Sequence, residues 1–203
     1  MKITYPFIAA SFLLSSCGPI IDLGNDQPPP TLYTIQSELS GSMANEGAVI
    51  YVSEPLLPGE SIGTRIAVRT NEFELKFLSG GQWSEPFRMM LHRYLVSDLS
   101  SSIEAQVVGA GSLDLRADCR LSVDFQRFDY DASSSSIIAK AMARLSSLKS
   151  GALLTNKLID VRADISSDSS DEIVSGYNQA AKLVSADLGS WLKEALPDCG
   201  GAD

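Results

Sequence analysis

Three stretches in the second half of the chain alternate between apolar and polar residues with a period of two. Ala117, Cys119, Leu121, Val123 and Phe125 interleave with Arg116, Asp118, Arg120, Ser122, Asp124 and Gln126. Such alternation marks a strand with one buried and one wetted face. The phase slips at Arg127-Phe128, which predicts a bulge. Beyond the polar run Asp131 to Ser135, a second strand follows through Ile137, Ala139, Ala141, Ala143 and Leu145. Lys149-Ser150-Gly151 turns the chain, and Ile159, Val161, Ala163 and Ile165 make a third. The expectation is a three-stranded antiparallel meander.

Two other stretches have the helical period. Trp83, Phe87, Leu91, Tyr94 and Leu99 predict a helix over 84–101, with Pro86 in its first turn and Glu85 at the positive end of the dipole. Ser169 to Glu172 reads as a capping box. Ile173, Tyr177, Ala180, Val184, Leu188 and Trp191 then line one face of a helix over 171–196, stopped by Pro197. In the first half, Leu32 to Ile35 and Ala48 to Val52 read as strands, the latter ended by Pro55 and Pro58. A polar loop covers 37–47. Arg65 to Thr70 and Glu72 to Leu78 form two more strands, and Gly80-Gly81 breaks the pattern. The fold class expected is α+β: an antiparallel-rich sheet that includes the meander, with two amphipathic helices packed on one face.

The N-terminus reads as an address. Lys2 precedes an apolar run from Ile3 to Leu14, too short to span a bilayer core of roughly 30 Å and suited to a signal peptide. The run ends in Leu14-Ser15-Ser16-Cys17, which resembles a bacterial lipobox: the Cys17 thiol takes a diacylglyceryl group, and cleavage precedes it. Residues 1–16 are therefore assigned to the signal peptide. Residues 17–31 are the lipidated cysteine and a tether containing Pro19, Pro28, Pro29 and Pro30, which tends toward polyproline II and reaches roughly 40 Å at about 3.1 Å per residue. Residues 32–203 are one globular domain. Gly18, rather than Asp, after Cys17 favours the outer over the inner membrane, with the body facing the periplasm.

Composition narrows the function. The chain has 203 residues, 44% hydrophobic and 20% charged, as expected of a globular protein. The formal charge of −9 excludes a nucleic-acid partner on electrostatic grounds. Loss of residues 1–16 removes Lys2 and makes the mature chain one unit more acidic, so lipid, not charge, holds the membrane.

The chain has one histidine, His92, and no G-x-S-x-G elbow. His92 is expected at a flanking, partly exposed position rather than in catalysis. Asp118 and Asp124 read as solubility residues on a wetted strand face. Val107 to Gly111 starts like a dinucleotide fingerprint, but Asp114 stands where the third glycine belongs and a strand follows, so it reads as a Gly-rich turn. No catalytic residues, no metal ligands and no cofactor beyond the lipid on Cys17 are expected. Of the three cysteines, Cys17 is used by lipid. Cys119 points inward, and Cys199 follows the helix that covers that face. Two states are open for this pair in an oxidising compartment: a disulfide closing a loop of about 80 residues, or two isolated thiols.

The order of these features resembles the ABC-type transport auxiliary lipoproteins, a family that includes the paraquat-inducible C lipoprotein. The shared pieces are the lipobox, the Leu32-Tyr33-Thr34-Ile35 strand, and the Val49 strand leading to Pro55 and Pro58. An arginine strand ending near Arg69 follows, and Trp83-Ser84-Glu85 opens a helix. Arg120-Leu121-Ser122-Val123-Asp124-Phe125 with Phe128 comes next, and an alanine-rich helix ends in Ser190-Trp191-Leu192. One departure is Gly59-Glu60-Ser61-Ile62 after Pro58, where the family usually has Tyr-Leu-Asp. Trp83, Glu85 and Trp191 are the family-motif positions, and the tryptophans are read as helix-on-sheet core rather than ligand contacts.

The resemblance implies a non-enzymatic lipoprotein subunit of an intermembrane transport system for lipids or other hydrophobic molecules. Its partners would be a periplasmic MCE-domain (mammalian cell entry) protein and the permease; self-association into a homo-oligomer is compatible with this role. The competing reading is an independent binding module, either a lipid carrier or a partner of cell-envelope assembly enzymes.

Overall fold

The computed structural model describes residues 29–37, 47–111 and 116–200. The signal segment, Cys17, most of the tether, most of the 37–47 loop and Asp114 lie outside the described residues. The elements in chain order are β1 (Thr31–Tyr33), β2 (Val49–Val52), a 3-10 turn (Gly59–Ser61), β3 (Arg65–Asn71), β4 (Glu74–Trp83) and α1 (Phe87–Ser102). β5 (Gln106–Val108), β6 (Cys119–Asp131), β7 (Ser136–Ser147), β8 (Leu153–Asp164) and α2 (Ser170–Gly200) complete it.

The class is α+β, but the sheet is mixed rather than antiparallel-rich. β6, β7 and β8 pair antiparallel in succession, as do β3 and β4. The pairs β1–β4, β2–β5, β2–β6 and β3–β6 are parallel. Alternation reports which face of a strand is buried and is silent on the direction of its neighbour. Direction follows from the connection: tight turns join the antiparallel neighbours, and longer passages, three of the four containing α1, join the rest. β6 is the spine. One edge pairs with β7 along its whole length. The other is shared by β2 near Cys119 and β3 near Tyr130. Pro55 does not end the association of the β2 segment with β6: Leu56 N–H donates to Val123 O and Phe125 N–H to Leu56 O, both at 2.9 Å.

The bulge falls where the phase slips. The β6–β7 register shifts between Phe125 and Arg127. Cys119, Leu121, Val123 and Phe125 face the helices before it, and Phe128 and Tyr130 after it. From β7 and β8, Ile137, Ala139, Ala141, Ala143, Leu145, Ile159, Val161 and Ala163 join the same core; Ile165 lies just past the end of β8. The small alanines let α2 lie close. At Gly176 an added Cβ would sit 2.5 Å from Ile165 Cγ2 and 2.8 Å from Ile137 Cγ1. An aromatic cluster fills the space beneath both helices: Trp83 stacks on Phe87, and Phe128 stacks on Tyr177 with centroids 5.6 Å apart.

The helix boundaries differ from the expected ones. α1 starts at Phe87 with Pro86 as its N-cap, so Glu85 precedes the helix and pairs with Arg93 instead of complementing the first turn. α2 runs through Pro197 to Gly200. In the last turn a proline forfeits one backbone bond, which costs far less than in a helix interior. Half of the capping box forms: Ser169 Oγ accepts from Glu172 N–H at 3.3 Å, while the Glu172 carboxylate bonds Ser166. Gly80 and Gly81 lie inside β4, and the break they mark is a shift of the β3–β4 register between Phe77 and Gln82. Gly80 adopts φ +72°, and a Cβ on Gly81 would meet the Tyr33 ring of β1 at 2.8 Å. Gly81 admits β1 to the sheet.

Candidate functional site

The sequence-derived positions are spread over the domain rather than gathered. Trp83 is buried between Phe87 and Tyr177. Trp191 is half-buried against the core. Glu85 is a surface ion-pair partner, held below the usual carboxylate range by the Arg93 guanidinium. Cys119 and Cys199 are joined by a disulfide with Cα atoms 5.7 Å apart, tying the start of β6 to the end of α2. His92 is buried, not partly exposed. Its Nε2 lies 3.0 Å from Val52 O, so that nitrogen carries the proton and donates. The close approach of the turn at Gly109, where a Cβ would lie 3.1 Å from the ring, covers it. Asp118 is exposed but has a structural bond, accepting from Val49 N–H at 2.8 Å.

The structure assembles a cluster that alternation hides. The bulge turns Asp129 onto the helix-free face of the sheet, yet its carboxylate is 1% exposed. Arg69 from β3 donates to Asp129 Oδ2 through Nε (3.2 Å) and Nη2 (3.1 Å), and Arg127 Nε donates to Oδ1 at 3.0 Å. Arg127 Nη2 reaches Asp131 Oδ2 at 2.6 Å. Burial works to raise the Asp131 carboxyl, but the Ser133 hydroxyl and the Arg127 guanidinium outweigh it and bring it down to about 2. The cluster bolts β3 to β6, which share only the register pairs Val68–Tyr130 and Arg69–Asp131. The bulge is the sequence signal that could have found it, because an extra residue after Phe125 sends the following odd positions outward.

On the helix side, the segment 34–37 runs beside both helices. Gln36 N–H donates to Asn178 Oδ1 at 3.1 Å, and Ser37 Oγ to Ser97 Oγ at 2.6 Å. Here a groove of about 340 Å³ is lined by Gln36, Tyr94, Asp98, Asn178, Gln179 and Lys182, with more polar than apolar surface. Among the described residues, no set of three His, Cys, Asp or Glu side chains converges on a metal-sized site, and no described helix is long and apolar enough to cross a membrane.

A family model for the ABC-type transport auxiliary lipoprotein component matches residues 32–189. The chain belongs to this family. The match starts within β1 and ends within α2, so it takes in the sheet and both helices. The fold is shared with solved structures. Protein XCC0632 from Xanthomonas campestris superposes with a TM-score of 0.65 at 22% identity, covering 83% of this chain and 95% of that one. A second crystal structure, described as an uncharacterized protein, gives a TM-score of 0.67 at 19% identity, covering 81% and 99%. No sequence among curated proteins matches the chain significantly. The family is one of auxiliary transport components.

Proposed function

We propose that the protein is a non-enzymatic lipoprotein subunit of an MCE/ABC-type transport system that moves lipids or other hydrophobic molecules between membranes. It is anchored in the outer membrane through Cys17 and faces the periplasm. The observation that carries this reading is the family match over residues 32–189, placed directly behind a lipobox and a proline-rich tether. The tether sets the body off the membrane, and the domain docks on the periplasmic MCE-domain protein of the system. The acidic body meets a more basic surface, so the association weakens as salt rises.

Co-purification of the full, lipidated chain from detergent extracts tests the reading. Recovery of an MCE-domain protein and its permease is expected. If the chain comes down alone while its soluble domain carries extractable lipid, the carrier reading replaces this one. The anchor has its own test: Cys17→Ala abolishes metabolic labelling with palmitate, and label retained by the variant would refute lipidation at this position.

A further inference from the structure

The hairpin joining β3 to β4 has a two-residue tip, Glu72-Phe73, between the paired residues Asn71 and Glu74. Such tips are normally built from Gly, Asn or Asp, which suit the turn and solvent. Here a phenylalanine occupies the tip with 90% of its surface exposed. It packs on no core, so folding does not account for it.

The tip is also held still. Phe73 N–H donates to Asn71 Oδ1 at 3.0 Å, and Glu74 Oε2 accepts from Thr70 Oγ1 at 2.6 Å and Asn71 Nδ2 at 3.1 Å. The Thr70 hydroxyl and Lys76 hold Glu74 below the usual carboxylate range, so it stays charged. Arg69, itself fixed by Asp129, donates from Nη1 to Glu72 O at 3.3 Å. The buried ion cluster thus braces the base of the hairpin. An exposed aromatic on a braced backbone spares the loop-ordering cost of docking, a property suited to an interface anchor.

Charge and position narrow the occupant. Glu72 and Glu74 flank the ring, and a cleft of about 430 Å³ beside it is lined by Arg69, Asn71, Glu72, Arg127, Asp131 and Ser133. Lys76 pairs with Glu74 and both arginines are engaged by carboxylates, but Glu60, Glu72, Glu74, Asp129 and Asp131 outnumber Arg69, Lys76 and Arg127, so the tip is acidic overall. Acidic flanks disfavour an anionic membrane surface. The chain enters β1 at Thr31 opposite Gly81, seven residues along β4 from Glu74, or about 23 Å from the tip at 3.3 Å per residue. The tether therefore joins the domain at the far end of the hairpin.

We propose that Phe73 is the anchor by which the domain docks on its periplasmic protein partner, inserting into an apolar pocket rimmed by basic side chains. This rests on the transport-subunit reading above.

The test uses the full, lipidated chain in cells that carry the transporter. Phe73→Ser lowers recovery of the MCE-domain partner at least tenfold with an unchanged thermal midpoint, and Phe73→Trp keeps it. Glu72→Lys weakens recovery several-fold and flattens its salt dependence. A photo-crosslinking phenylalanine analogue at position 73 labels the partner protein. Wild-type recovery by Phe73→Ser overturns the inference and leaves the transport reading standing. Adducts confined to a second copy of this chain or to phospholipid also overturn it. If the wild-type chain itself recovers no such partner, both readings fall.

Discussion

The Tyr177 hydroxyl donates a hydrogen bond to the carbonyl oxygen of Ala67 at 3.0 Å, joining the N-terminal third of α2 to β3 across 110 residues of sequence. Both groups are buried, and burial together with the Asp129 carboxylate pushes the phenol far above its ordinary value, so it remains a donor. Tyr177→Phe keeps the ring stack on Phe128 and removes one neutral hydrogen bond, so a loss of about 1 kcal/mol is expected. Tyr177→Ala empties the centre of the aromatic cluster and costs about 3–5 kcal/mol. Urea unfolding of the soluble domain separates the two, and equal losses would refute the assignment.

Gly176 and Gly189 both lie inside α2, where alanine ordinarily stabilises by up to about 1 kcal/mol. At Gly176 that gain is reversed. The new Cβ meets two isoleucines at overlapping distance, and overpacking of this kind costs about 1–3 kcal/mol. At Gly189 the nearest atom is the Ser102 hydroxyl oxygen at 3.3 Å, which shifts easily. Gly176→Ala lowers the thermal midpoint and Gly189→Ala does not. Matching midpoints would show that α2 sits farther from β7 than described.

The disulfide between Cys119 and Cys199 closes a loop of 80 residues. In the chain-entropy model this stabilises by about 4–5 kcal/mol, an upper figure in practice. Protein isolated from its native compartment differs by about two protons' mass before and after reduction, and Cys119→Ser/Cys199→Ser unfolds at lower denaturant. Two freely alkylated thiols in unreduced protein would reject the bond.

Asp131 supplies an acid-sensitive component. Its folded carboxyl titrates at about 2, below the roughly 3.9 of an unfolded aspartate, so its contribution is present above pH 4 and is lost as pH falls toward 2. The thermal midpoint of the wild type therefore drops more steeply over this window than that of Asp131→Asn. Parallel curves would rule out the Arg127 and Ser133 bonds as the cause.

The local pattern by itself determined which residues face the core. Alternation from Cys119 to Phe125, from Ile137 to Leu145 and from Ile159 to Ala163 matches the buried face, because the pleat of a strand alternates independently of its neighbours. The helical stripe from Ile173 to Leu188 is likewise buried, with Trp191 half-buried at its end, and the phase slip after Phe125 locates the bulge. What pairs with what was decided elsewhere. Nothing in the run Ile50 to Val52 or Arg65 to Arg69 states that both lie parallel to β6, since strand direction depends on the length and path of the connections. Pro197 and Gly80-Gly81 carry strong local signals, yet they sit within elements: the proline falls in a final turn with few bonds to lose, and Gly81 makes room for Tyr33. His92, Asp129 and Phe73 differ most between pattern and structure. A polar residue's burial depends on partners distant in sequence, Val52 for His92 and Arg69 for Asp129, while an apolar residue at a hairpin tip is left without any. Period and propensity act over a few residues; the partners of His92 and Asp129 come from segments 40 and 60 residues away, and tertiary packing alone selects them.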